Sequence, residues 1–514
     1  MRQDTEQILY NNKNIKKTLV FDGIIVGIGA GTVAVAYRWF LTLMEKTCLY
    51  MYSQPLTLGY LLSIILGLGS FGIIIGRLVK YAPLSSGSGI PQIEGELMGV
   101  FNMDEKKTIV AKFVGGSLAA AGGLSLGREG PSIQLGGAMG KLVAKFLRRD
   151  INEQRYLISA GASAGLSAAF SAPISGTIFI LEEVYKNFSP LVVVPAIIAS
   201  VIADFISKNI FGMRPSFSFS VENSLSLYDY GHIVALGIFV GVVGVFFNRT
   251  LLFIQTLYKK LKIKNEFKPI IPFMFAILFG FTFPYVLGGG HSVIERLVEN
   301  RVSVTTLVMI LLLNTLFTSI SYGSTAQGGI FLPTLVIGAV TGGVYYNLAT
   351  EFNFLISQDY FVNFIVLAMS GMLASVVRSP ILAIMLVVEM TGSFEHVLSL
   401  AVVAIVAYLV AEILRCKPIY ESLLERMLEN NELVSGDYDD EKVIYHSIVS
   451  YNSFMVDKTL KEIKLPWNAL IVSIKRLHGE IVPNGETVIK AGDNLTILTD
   501  NKNLKDVAEF VNKD

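Results

Sequence analysis

Three short segments join glycine, proline and the start of an apolar run: GSGIPQIEG (87–95), GREGPS (127–132) and GGIFLP (328–333). In each, glycines precede a proline that suits the first turn of a helix. Glycine lets backbone N–H groups converge, and a helix start adds partial positive charge and four unpaired donors. Three such starts aimed at one point would hold an anion without any full positive charge, and so weakly enough to release it. The carbonyl or carboxylate rings that a cation pathway needs are not visible. One Gly-Pro helix start is ordinary packing; three in one chain favour an anion site.

The elements that must position these starts lie in a bilayer. The chain has 514 residues, 52% hydrophobic and 16% charged, with mean hydropathy +0.56. Of its 83 charged residues, 30 fall in residues 415–514 and 53 in the preceding 414. A soluble protein of this size does not keep its surface so poor in charge, so the first four fifths read as membrane-embedded. Apolar segments at 19–44, 57–78, 107–121, 131–147, 156–181, 190–211, 232–256, 269–287, 303–320, 331–349, 358–376, 380–391 and 397–414 follow one another closely. Several are too short or too broken by Gly and Pro to cross about 30 Å of hydrocarbon. Broken backbone at that depth must line a cavity or be buried in protein, which points to a transporter or channel. The first seventeen residues are polar and read as a cytoplasmic segment rather than a signal peptide. Basic clusters at Lys145–Arg155, Lys259–Lys268 and Arg415–Lys417 mark cytoplasmic loops, which puts both termini in the cytoplasm.

Two motifs recur in order. GGLSLGREGPSIQLGGAMG (122–140) resembles GSTAQGGIFLPTLVIGAVTGG (323–343), and SAPISGTIFILEEV (171–184) resembles RSPILAIMLVVEMT (378–391). The proline offsets, 333 − 131 = 202 and 380 − 173 = 207, are close enough to favour duplicated halves over repeated small-residue packing. The net charge of +1 excludes a nucleic-acid binder held by bulk electrostatics. Cys48 and Cys416 offer no disulfide framework and no metal-ligand spacing. GLSLG (123–127) fits the hydrolase pattern G-x-S-x-G without a preceding strand, and GIGAG (27–31) lacks the third glycine of a dinucleotide fingerprint, so neither indicates an enzyme.

The three glycine motifs, their order, SAGASAGLSAAFSAPISGTIFILEE (159–183) and PILAIMLVVEMTGSF (380–394) resemble the CLC family of chloride channels and proton/chloride antiporters. The resemblance spans residues 18–428. It implies about eighteen helical segments in two inverted halves and a homodimer with one anion pathway per subunit. It also implies that the Ser88 hydroxyl, the Ile330 and Phe331 backbone N–H groups and the Tyr420 phenol hold the central anion. Read alone, Ser88 is a helix N-cap and Tyr420 an interfacial anchor. Glu129 resembles the family's gating glutamate, which occupies the anion site when ionised and leaves it when protonated. Read alone, it equally suits a pairing with Arg128. Glu183 matches the position where antiporters keep a proton-receiving glutamate, with Glu182 as support for the proton path. Ser88 and Glu183 together favour chloride over nitrate or fluoride.

After a linker at 429–439, residues 440–514 change character. ALIVSIKRL (469–477) and NLTILTD (494–500) alternate like strands, with turns at PNG (483–485) and AGDN (491–494). Residues 453–500 resemble the C-terminal subdomain of potassium-transport regulators, the RCK or TrkA-C domain. The resemblance implies a dimerising regulatory unit and, in some members, a cyclic di-AMP site, here facing Ile471, Arg476 and Pro483. The expectation is therefore an all-α multi-helix membrane protein with inverted repeats and a small α/β cytoplasmic domain. It would sit in a bacterial-type plasma membrane and exchange chloride for protons without a cofactor. A passive chloride channel of the same fold is the alternative, and a sensor with a degenerate transport core is disfavoured by the intact motifs.

Overall fold

The computed structural model describes residues 15–186, 188–213, 215–217, 225–299, 302–352, 360–429, 442–450, 453–467, 469–476, 479–500 and 503–511. The polar stretch before residue 15 and most of the linker lie outside them. The membrane part begins with α1 (Ile15–Ser53), α2 (Leu58–Tyr81), α3 (Ile90–Leu97), α4 (Glu105–Ala121) and α5 (Glu129–Phe146). It continues with α6 (Ile151–Phe170), α7 (Pro173–Phe179), α8 (Pro190–Phe211), α9 (Tyr230–Lys260), α10 (Ile270–Thr282) and α11 (His291–Glu299). The second half closes with α12 (Val304–Gly323), α13 (Phe331–Glu351), α14 (Phe361–Val377), α15 (Pro380–Thr391), α16 (Val397–Ile413) and α17 (Ile419–Leu428). Among the described residues, six helical stretches, including Lys17–Ser53 and Leu227–Lys260, are long and apolar enough to cross a membrane. The others are shorter or less apolar, and α3 and α7 have only eight and seven residues.

The breaks follow from local chemistry. The apolar run 156–181, expected as one segment, is two helices. Ser171 turns left-handed (φ 57), and the following Ala172-Pro173 starts α7 because proline is tolerated in a first turn and not in a helix interior. The same device recurs 207 residues on, where Arg378 (φ 74) and Ser379-Pro380 separate α14 from α15. The two breaks also hold each other. Glu389, near the end of α15, accepts from the backbone N–H groups of Ile174 (3.0 Å) and Ser175 (2.7 Å) at the start of α7. Glu182, in the π-turn after α7, accepts from Ile381 (3.0 Å) and Leu382 (2.6 Å) at the start of α15. Each carboxylate satisfies free donors and complements the dipole of the opposite half's helix. This reciprocity is what two inverted copies of one unit produce.

Close packing completes the membrane part. Helices α5 and α6 approach so tightly that a Cβ at Gly136 would collide with the Gly161 carbonyl oxygen, and one at Gly161 with that of Gly136. A continuous apolar core runs through α3, α5, α6, α9 and α12 to α17, while Leu66, Phe205 and Ile413 remain exposed outside it.

The C-terminal unit is a four-stranded antiparallel sheet in the order β1-β4-β2-β3, with β1 Lys442–Ile448, β2 Leu470–Arg476, β3 Gly479–Ile481 and β4 Asn494–Asp500. Helix α18 (Leu504–Val511) packs on it. Both β2 and β4 were legible as alternating strands; β1 escaped notice because its KVIYHSI groups Val-Ile-Tyr and His-Ser in place of a regular alternation. Ile471 joins Ile474, Leu495 and Ile497 in the core of this sheet. Its side chain thus packs inside the sheet, which corrects its assignment to a ligand-facing surface, and a register shift between Ile471 and Ser473 lets it share that core with Ile474 despite their odd spacing. Arg476 also departs from that assignment: its guanidinium is engaged with Asp493 at 2.7 and 2.9 Å and with the Val488 carbonyl oxygen. Pro483 is half-buried at the turn after β3.

Candidate functional site

The three glycine motifs meet. Gly127 and Gly329 exchange two backbone hydrogen bonds, each 2.7 Å long. Gly328 N–H donates to the Gly87 carbonyl at 3.0 Å, and Gly87 N–H donates to that of Thr325 at 3.3 Å. The starts of α3, α5 and α13 are thereby tied into one assembly, with Pro91, Pro131 and Pro333 in the respective first turns. Glycine is required at the contacts: a Cβ at Gly130 would run into the Ser88 hydroxyl, and one at Gly127 into the Glu129 carboxylate.

Ser88, Glu129, Ile330, Phe331 and Tyr420 are all buried there. Tyr420 arrives on α17, which packs against α3, and its hydroxyl lies close to that of Ser88. Neither hydroxyl, and neither oxygen of Glu129, has a partner that meets hydrogen-bond geometry among the described residues. The nearest cationic nitrogen to Glu129 is Arg128 Nε at 3.8 Å. Leaving buried polar atoms unpaired costs about 1–3 kcal/mol each, so a cluster of them calls for an explanation. Two neutral hydroxyl donors beside converging helix starts suit an anion, and Glu129 is itself an anion when ionised. The assembly therefore brings together donors suited to a small anion and a buried carboxylate beside them.

Two residues here were not singled out from the sequence. Lys112, on α4, is fully buried and donates to the carbonyl oxygens of Ser85 (2.9 Å) and Gly87 (2.8 Å). Its ammonium is held on the carbonyl side of the loop leading to Ser88. The signal was a lysine in the interior of the apolar run 107–121, since intramembrane charges are functional by default. The second is Glu94, buried on α3 inside the GSGIPQIEG motif itself and close enough for its charge to act on Glu183.

Glu183 is buried and accepts a hydrogen bond from the Ser379 hydroxyl. Glu182 beside it is occupied with the start of α15, as described above. Its two oxygens therefore have a structural task that the sequence did not indicate. Ser125 of the GLSLG segment donates to Asn314 Oδ1 (3.0 Å) and contacts Thr318 (2.7 Å), an interhelical tie unlike a nucleophile's setting.

Broken helices whose starts converge on unpaired buried donors define a membrane transport protein, not an enzyme. Residues 71–412 match the family model for voltage gated chloride channels, and residues 445–512 match the TrkA-C domain. The chain belongs to the CLC family, with a TrkA-C domain appended. The H(+)/Cl(-) exchange transporter ClcA of Vibrio campbellii is 32% identical over 437 residues, covering 83% of this chain and 93% of that protein. Among solved structures, a slow cyanobacterial Cl-/H+ antiporter aligns with TM-score 0.75 and 31% identity, covering 80% of this chain and 99% of its own. A CLC-type fluoride/proton antiporter shares the fold (TM-score 0.64, 22% identity, 79% of this chain and 97% of its own).

Proposed function

We propose that the protein is a dimeric, proton-coupled chloride antiporter of a bacterial-type plasma membrane, both termini cytoplasmic, with residues 18–428 forming the transport domain. The observation that carries the reading is the buried set of unpaired groups, Ser88, Tyr420 and Glu129, at three converging helix starts. Chloride is held by the Ser88 and Tyr420 hydroxyls and the Ile330 and Phe331 backbone N–H groups. Glu129 competes with it when ionised and withdraws when protonated, which ties proton movement to anion movement. Glu183 receives protons from the inner side, and Glu182 supports that path by fixing the start of α15 and with it Ser379 against Glu183. The exchange transporter ClcA and the cyanobacterial antiporter support exchange rather than passive conduction. Residues 440–514 act as a dimerising regulatory unit, with cyclic di-AMP as the ligand to test.

The deciding experiment is chloride-driven proton uptake in liposomes containing the purified protein. An antiporter takes up protons against their gradient when chloride flows, and its reversal potential shifts with a pH gradient. Chloride flux with a reversal potential indifferent to pH would establish the passive channel instead.

A further inference from the structure

A cavity of about 920 Å³ opens beneath the Ser88 loop, walled by α2, the end of α9, the 264–268 turn, the end of α12 and α17. Its inner end is formed by Ser86 and Gly87, and its mouth by Lys259, Lys264 and Glu429. Five cations line it, and two are neutralised locally: Lys80 by Glu266 at 2.6 Å and Lys259 by Glu429 at 3.4 Å. Lys264, Lys268 and Arg426 have no carboxylate within ion-pair reach among the described residues. Arg426 donates only to the Leu252 carbonyl and the Gln255 amide oxygen.

One lining group is buried with an unpaired hydroxyl, and a second, a lysine, is largely covered without an ion pair. Lys268 is only 9% exposed and Tyr258 only 6%. The Tyr258 hydroxyl lacks a hydrogen-bond partner, as does Thr325 Oγ1 on the same wall. Cations that merely attract anions from a distance work best in solvent. Burying a phenol unpaired, and covering an ammonium without a counter-charge, cost free energy unless something accepts from them. Burial also pushes the Lys268 ammonium below its usual range, the direction an adjacent anion would reverse. Chloride is too small to touch all of these donors in a space of this size, which instead falls in the range of small-molecule pockets. Tyr258, Tyr322, Leu423 and Met427 add an aromatic and apolar wall.

We propose that this cavity is a binding site for a soluble multivalent phosphate compound of the nucleoside triphosphate type. Its phosphates engage Lys264, Lys268, Arg426 and the Tyr258 hydroxyl, and its heterocycle lies against the apolar wall. Seated there it covers Ser86 and Gly87 and slows transport, a consequence that rests on the transport reading above; the binding itself does not.

The test is calorimetry on the full-length protein in detergent, titrated with inorganic triphosphate and with adenosine triphosphate at low salt. Saturable binding of both is expected, tighter for the nucleotide. Lys268→Gln should weaken it at least tenfold and Tyr258→Phe severalfold, in variants that elute as the parent does on size exclusion. The Lys264→Gln/Arg426→Gln pair provides a second readout should Lys268→Gln fail to fold. Arg476→Ala, in the C-terminal sheet, should leave the affinity unchanged. Three results each overturn the proposal: no heat at millimolar triphosphate, equal affinity in the Lys268 and Lys264/Arg426 variants, or binding abolished by Arg476→Ala. Binding confined to phosphatidate in mixed micelles, with none to free triphosphate, overturns the soluble ligand in favour of a lipid headgroup.

Discussion

Glu129 opens α5 between Arg128 and Gly130, and Gly127 leaves room for its carboxylate, which a Cβ there would strike. With neither carboxylate oxygen in a well-formed hydrogen bond among the described residues, the helix dipole, Arg128 and the nearby Leu332 backbone N–H are what hold it. Glu129→Gln keeps the size and removes the titration. It should abolish proton transport while chloride still moves, read as pH change and chloride efflux from the same liposomes. Glu183→Gln or Glu183→Val should likewise lose proton movement and keep chloride flux; persistent proton uptake in both would remove Glu183 from the path. Ser88 contributes the side-chain hydroxyl to the first helix start, so Ser88→Pro should raise nitrate flux relative to chloride, and an unchanged flux ratio would mean that Ser88 does not face the anion. These residues were legible because each lies within a contiguous motif. Lys112 was not, because its partners are carbonyls 25 and 27 positions upstream and its chemistry exists only once α4 is packed against that loop.

The limits of legibility are sharper for elements. Proline and glycine marked where helices begin, and the boundaries of α8, α15 and α16 fall within a residue or two of the apolar runs. What a sequence does not reveal is which carboxylate serves which helix start when the two lie about 200 residues apart. Glu182 and Glu389 show this: the sequence marks Glu182 only as support for the proton path and does not mark Glu389, yet each caps a helix of the other half. Replacing Glu182 with Ala removes two charge-assisted bonds and replacing Glu389 removes three; each should cost at least about 2 kcal/mol, seen as a fall in apparent Tm. Because the Glu182 oxygens hold the start of α15 and with it Ser379 against Glu183, Glu182→Gln should lower Tm and reduce the proton-to-chloride ratio, though less than Glu183→Gln does. In the C-terminal sheet, burial pushes the Asp493 carboxyl up, but bonds from Arg476 and the Lys490 N–H outweigh it and hold it below the usual range. A depressed carboxyl stabilises the fold above its unfolded pKa of about 3.9 and loses that contribution as pH falls through the lower folded value. Asp493→Asn should therefore destabilise this domain at pH 7, and the gap from the parent protein should close as the pH is lowered below 4.

At the scale of the whole molecule, two materials are joined: a charge-poor membrane part built from two copies of one unit, and a charge-rich sheet domain containing none of the anion motifs. Composition alone separated them, because a bilayer and water select opposite surfaces. Their coupling is a matter of attachment. The linker leaves from α17, the helix that carries Tyr420 into the anion site. A ligand that stabilises one packing of two C-terminal domains over another can bias the position of α17, provided that it binds the two packings unequally. Truncation after about residue 435 should thus leave a folded, chloride-transporting dimer that has lost regulation. Cyclic di-AMP is the probe: titrated into the full-length protein it should give heat and alter chloride flux, and into the truncated protein neither. The interior place of Ile471 and the Arg476–Asp493 ion pair shift the expected contacts toward the Pro483 turn. A loss of binding in Arg476→Ala would then have to be separated from a loss of folding, which the Asp493→Asn variant does by breaking the same pair from the other side. Absence of heat at high micromolar nucleotide would reject this ligand, and identical flux from full-length and truncated proteins, with and without it, would reject the regulatory role of the domain.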